Sequence, residues 1–166
     1  MVVIREMEFT EESVGRFRNW VLSHLDRYDD AVRADPDKWI ADTFNNKDIM
    51  FFEGFDPDKD PEFKDPIGCT YVMRNYLIMV HLLVYKPIAF VKNFLYFIDA
   101  LRPLVDNKYN GETYFFPVMS YNPSAEPLIR AVCPYFITHE AATLYEGKAA
   151  AMRLYVGRLA FRPEEA

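Results

Sequence analysis

Glycine, cysteine and histidine are scarce in this sequence: six, two and three of them in 166 residues. Each shortage excludes a class of chemistry. Cys69 and Cys133 are too few and too far apart to build a disulfide framework or a metal knuckle, and both read as reduced core residues. No histidine pair stands at metal-ligand spacing, and there is no nucleophile elbow, P-loop or dinucleotide fingerprint. The stretch Phe55–Pro66 carries three prolines and many charges, so it reads as a surface loop. It is not a calcium loop: counting from Asp56, Pro61 stands where glycine is needed and Ile67 where the bidentate glutamate belongs. No metal site is expected.

Long apolar runs are missing as well. Arg74, His81, Lys86 and Lys92 interrupt the longest candidate well short of the roughly 18–20 residues that span a bilayer. The first residues, Met1-Val2-Val3-Ile4-Arg5-Glu6, lack the basic start and apolar core of a signal peptide. A cytoplasmic protein without membrane contact is expected. The formal charge of −6 is spread along the chain with no basic face, so nucleic acid is not an expected partner.

What the chain does have is apolar and aromatic mass. Hydrophobic residues make up 51% and aromatic residues 16%. That implies a heavy core or a surface for another protein, so a protein partner or self-association is expected. The length suits a single domain over 1–166.

The chain is organised around Leu77 to Val105. Leu77–Tyr85 is apolar on both alternating faces, as a central strand between helical layers must be. A Lys86-Pro87 break follows, with Pro87 suited to a helix start. Ile88, Val91, Phe94, Leu95, Ile98, Leu101 and Val105 then recur at helical spacing and predict the buried stripe of a long helix, with Lys92, Asn93, Tyr96 and Asp99 opposite. Arg102-Pro103 and Asp106-Asn107 are expected to loosen its end.

Elsewhere the pattern predicts a strand at Val2–Met7 and a helix capped by Thr10, bearing Val14, Phe17, Val21, Leu22, Leu25 and Tyr28. A second short helix starts at Asp35-Pro36. Strands follow at Ile49–Phe52, Ile67–Met73 and, after the long helix, Glu112–Met119. Asn122-Pro123, or alternatively Ser124, opens a short helix through Leu128, Ile129 and Val132. Phe136–Leu144 and Ala149–Phe161 close the chain as a hairpin around Glu146-Gly147-Lys148.

This order of strand, two helices, three strands, helix, strand, helix and two strands resembles the GCN5-related N-acetyltransferase superfamily. Val84-Tyr85-Lys86-Pro87 is similar to the valine-x-x-proline that leaves the family's central strand. Asn122-Pro123-Ser124-Ala125-Glu126-Pro127-Leu128 followed by Pro134-Tyr135 is similar to its asparagine-x-x-alanine-x-x-leucine helix and exit. Leu154-Tyr155-Val156-Gly157-Arg158-Leu159 after the closing turn is similar too. The resemblance implies an α+β fold with a mixed, mostly antiparallel sheet of six or seven strands and helices on both faces.

It also implies acyl-CoA as donor, lying along Leu83, Val84 and Tyr85, with Lys92 and Asn122 among its contacts. His81 on the central strand is the candidate base, since imidazole titrates near neutrality; its other reading is a hydrogen-bonded core residue. Tyr135 and Tyr145 are candidate donors to a thiolate. Two family features are absent. The phosphate loop would need arginine at Phe90 and glycines at Asn93 and Leu95, yet no glycine lies between Gly68 and Gly111. Phe90 and Phe94 are expected to put rings where phosphate packs, with only Lys86 and Lys92 as charge. At the position of the family's acid tyrosine stands Ile129. The expected function is therefore an N-acyltransferase of reduced or lost activity. Alternatively, the protein keeps the fold without the chemistry, as a structural or interaction protein such as a bacteriophage virion or accessory component that needs no cofactor.

Overall fold

Thr10 begins the first helix. In the computed structural model, which describes residues 1–157, Thr10 Oγ1 accepts from Ser13 N (3.1 Å) and Ser13 Oγ accepts from Thr10 N (3.0 Å). This reciprocal box fixes the start of α1 (Glu11–Ser23) after β1 (Val3–Glu6). Leu25 and Tyr28 fall beyond α1, because the helix stops at Ser23 and a 3-10 turn takes Leu25–Arg27. Asp29 and Asp35 each cap a further helix through a side-chain oxygen, giving α2 (Asp30–Ala34) and α3 (Pro36–Asn45). The extra helix, α2, is too short to show periodicity, so its aspartate cap is its only mark in the sequence.

β2 (Met50–Phe55), β3 (Gly68–Arg74) and β4 (Ile78–Val84) form an antiparallel meander beside β1. β5 (Tyr114–Met119) joins β4 in parallel, and β6 (Phe136–Tyr145) and β7 (Lys148–Val156) close the sheet as a hairpin. The order is β1-β2-β3-β4-β5-β7-β6, seven strands in one mixed sheet. Of the residues expected in the last strand and its motif, Arg158, Leu159 and Phe161 lie outside the described residues. One face of the sheet carries α1 to α3, with Phe17, Val21 and Ile40 on Phe51, Cys69, Tyr71 and Leu83. The other carries α4 (Pro87–Tyr109) and α5 (Glu126–Val132) over Phe52, Val72, Val80 and Phe116. Both cysteines are buried free thiols. Among the described residues no helix is long and apolar enough to cross a membrane.

The buried face of α4 keeps Phe94, Ile98, Leu101 and Val105 of the predicted stripe and differs from it at the other three positions. Phe90, Phe94, Phe97, Ile98, Leu101 and Val105 turn inward, whereas Ile88, Val91 and Leu95 are exposed. The reason is glycine on the sheet. A Cβ at Gly54 would lie 2.4 Å from the Phe97 ring, and one at Gly68 would lie 3.3 Å from the Phe90 ring. Those bare positions on β2 and β3 are sockets for rings, and a ring buries more apolar surface than the aliphatic side chains competing for the same face. The helix rotates to seat them. It also runs through Pro103 to Tyr109 instead of loosening there. The missing donor and ring clash cost about 3 kcal/mol, and burial of Leu101, Val105 and Tyr109 around it offsets that at roughly 1.5–3 kcal/mol per aliphatic side chain.

Neither Asn122 nor Ser124 caps α5. Its N-cap is Ala125, and Ser124 Oγ donates instead to Asn122 Oδ1 at 2.9 Å. Pro127 sits in the first turn, where no N–H is required. Glu126 anchors this end by accepting from Tyr155 Oη (2.5 Å) and Arg153 (2.6 Å), which hold its carboxyl below the usual range.

The socket account makes a paired prediction. Gly54→Ala should destabilise the protein by about 1–3 kcal/mol, because the Phe97 ring has no room to retreat. Gly15→Ala, which meets nothing within 4 Å, should be stabilising by about 0.5–1 kcal/mol. Chemical denaturation of the two variants checks both signs.

Candidate acyl-transfer site

The parallel ladder between β4 and β5 is short. It pairs Ile78 with Tyr114 and Met79 with Phe115. Carried on, that register would set His81 opposite Pro117, which has no N–H to donate. From Val80 onward β4 has no partner on that side, and the two strands part.

A cavity of about 580 Å³ opens on the α1–α3 side of this parting. His81 and Leu83 from β4, Pro117 and Val118 from β5, and Asn122, Ala125 and Ile129 from the following segment line it. A run of rings leads into it from the helical layer: Tyr28 to Trp39 at 5.3 Å, Trp39 to Tyr71 at 6.4 Å, and Tyr71 stacked on His81 at 4.5 Å. Tyr121 lines the cavity and stacks on Tyr145 at 4.4 Å. Tyr145 Oη donates to the Asp26 carbonyl (2.9 Å), and the Asp30 carboxylate accepts from the N–H groups of Glu146 (2.7 Å) and Gly147 (2.8 Å). The tip of the β6–β7 hairpin is thereby tied to the α1–α2 segment beside the cavity. The two backbone donors hold the Asp30 carboxyl below its ordinary range.

Burial governs the electrostatics. It pushes the phenols of Tyr28 and Tyr71 well up and that of Tyr121 up to about 12, so all three stay neutral. It pushes His81 down to about 4. The residue is partly exposed, but its Nε2 is buried and has no hydrogen-bond partner. His81 is thus an imidazole stacked on the buried Tyr71, in the lining of the cavity, with its Nε2 sealed and without a partner.

Of the residues expected in the site, His81, Leu83 and Asn122 line the cavity. The other three do not. The Val84 carbonyl accepts from Trp20 Nε1 (3.0 Å), Tyr85 packs against the α1–α3 cluster, and Lys92 is exposed on α4. Tyr135 is exposed and Tyr145 is engaged with Asp26, whereas Ile129 lines the wall without a proton to give. Sequence reasoning missed Tyr121, Trp20, Tyr28 and Trp39. The first stands just before the Asn122-Pro123 motif; Trp20 and Trp39 on α1 and α3, and Tyr28 after the 3-10 turn, read from their spacing as core and pack against it.

The start of α4 also departs from expectation. Phe90 and Phe94 point into the core, so no ring stands where a phosphate would pack. The N–H groups of Tyr85 and Lys86 both donate to the Ile67 carbonyl (3.1 and 3.0 Å), and the Lys86 ammonium pairs with Asp65. Pro87 has no N–H, and no side chain caps the helix. The first turn leaves only the amides of Ile88 and Ala89, flanked by the exposed side chains of Ile88 and Val91. The donor that the family resemblance implies is an acyl-CoA. The first turn of α4 does not supply the bare, amide-lined cradle its pyrophosphate would need.

No protein-family model matches the chain, and no curated protein matches it. Solved structures do. Mutant forms of the spermidine/spermine N-acetyltransferase SpeG from Vibrio cholerae superpose with a TM-score of 0.61 at 14% identity, covering 94% of both chains. The spermidine N-acetyltransferase of the same organism in complex with CoA and spermine gives 0.58 at 14% identity, over 97% of this chain and 98% of that one. Arabidopsis thaliana NAA60 in complex with acetyl-CoA gives 0.56 at 14% identity, over 94% and 97%. At this identity the likeness concerns the path of the chain, and the parted strands and helical layers agree with it: the protein has the fold of the GCN5-related N-acetyltransferase superfamily.

Proposed function

We propose that the protein is a weakly donor-binding N-acyltransferase, taking an amine in the cavity and an acyl thioester through the parting of β4 and β5. The single observation behind this is the cavity that opens where β4 and β5 part, with His81 in its lining. In the reaction the amine nitrogen attacks the thioester carbonyl, the C–S bond breaks, and the nitrogen proton must pass to the departing sulfur. An imidazole with a pKa near 4 is a poor base toward a solvated ammonium. It need not be a strong one. A charged amine among buried rings gains roughly 0.5–2 kcal/mol from cation–π contact but loses several kcal/mol of hydration. Desolvation wins, the amine enters as the free base, and His81 only relays the proton that becomes acidic once the C–N bond has formed.

The donor is held by its pantetheine arm along the unpaired edge of β4, where amide groups can add as a strand would. Little of its affinity comes from the phosphates. A second reading, a non-catalytic protein retaining the fold, draws on the same α4 start: without a phosphate cradle the cavity can serve simple binding.

The two readings part on donor chemistry. With a primary amine as acceptor, S-acetylpantetheine should support transfer within about tenfold of acetyl-CoA in kcat/KM, equivalent to about 1.4 kcal/mol. A preference for the nucleotide-bearing donor of a thousandfold would contradict the arm-only account, and absence of transfer from either donor would favour the binding protein. His81→Ala should lower kcat by about a hundredfold while leaving KM for the donor unchanged. His81 also links stability to pH. Its folded pKa lies below the unfolded value of 6.5, so the unfolded chain takes up the proton first and stability falls as pH drops from about 6.5 toward 4. The loss is on the order of 3 kcal/mol. Urea melts across that range should show the slope, and His81→Phe should remove it.

A further inference from the structure

The cavity also says which kind of amine suits it. We propose that the acceptor is a primary amine carried on one flat aromatic body, an arylalkylamine, and not a polycation. The inference rests on the proposed function for the word acceptor, but its argument is the lining alone. Tyr28, Trp39 and Tyr71 present a nearly continuous aromatic wall that ends at His81, and Met79 and Met152 bring adaptable thioethers to the same space. Such a wall rewards a planar apolar guest through ring stacking and sulfur–ring contact.

Charge points the same way. Each ammonium of a polyamine needs an acidic partner once it leaves water. The charged groups lining the cavity are Arg27, Asp29 and Glu140, so the acids scarcely outnumber the base. Asp29 is already engaged, its Oδ1 accepting from Val32 N at 3.0 Å at the start of α2. Arg27 lies over the Trp20 ring at 5.8 Å and repels a second positive charge. Size agrees: about 580 Å³ takes a ring and a short amine arm with room left for an acyl end. With the ring against Trp39, the wall directs the amine toward His81.

The test is calorimetric titration of the whole protein, without any donor, with 2-phenylethylamine and separately with spermidine. Phenylethylamine should bind at least about tenfold more tightly. Trp39→Ala should weaken it by about tenfold or more, and Trp39→Phe, which keeps a ring, should recover most of the loss. Spermidine binding as tightly or more tightly would overturn the inference, as would heat from neither amine, or equal effects of the two Trp39 variants. The outcome is separable from that of the proposed function. Acetyl transfer to spermidine without phenylethylamine binding sinks the inference and leaves the transferase reading standing. Phenylethylamine binding in a protein that transfers from neither acetyl donor does the reverse.

Discussion

Pro117 stands level with His81 along the one parallel seam of the sheet, and it has no N–H to donate. A residue able to donate there would let the seam run on. The sheet would then close, and the cavity would shrink to whatever the helices left. Because the seam stops at Met79 and Phe115, the edge of β4 beyond Val80 keeps backbone groups without partners on β5. Such groups are expensive when sealed in a core, at about 1–3 kcal/mol each, and useful when a ligand can meet them. The two hydrophobic cores, each built on its own face of the sheet, hold the strands on either side of the gap. The gap is therefore a property of the scaffold and not of a mobile loop.

Much of this was legible in the sequence. The central strand, the proline at the start of the long helix and the Thr10 cap rest on local chemistry, and the structure has all three. The rotation of α4 was not legible, because two apolar stripes compete on that helix. Gly54 and Gly68, more than twenty residues away in sequence, decide between them. Spacing along one element cannot report a socket on another. Helical spacing does put Phe94 on the buried stripe; only the family register sets it and Phe90 against phosphate, and both rings face inward.

The site was legible in part for a similar reason. His81, Leu83 and Asn122 sit on or next to elements whose position follows from the strand order, and the cavity includes them. Val84 and Tyr85 continue the same strand, but its end is drawn toward α1 by the Trp20 hydrogen bond. The aromatic wall comes from the segment after α1, from α3 and from β3, and its rings meet only after these separate elements pack.

The absence of a glycine-rich turn and the presence of that wall bear on one another. A transferase that grips its donor by pyrophosphate can afford a polar, solvated acceptor site, because the donor is already held. Here the first turn of α4 offers two amides and apolar side chains, so orientation must come from elsewhere. On the proposed reading the ring-lined cavity supplies it twice: it strengthens every contact made inside by lowering the dielectric, and it favours the uncharged amine. The displaced pKa of His81 follows from its own burial. A wetter cavity would return the imidazole toward neutrality as a better base, but it would also return the proton to the amine. On the proposed reading, the base strength given up at His81 is thus matched by a substrate that no longer needs it.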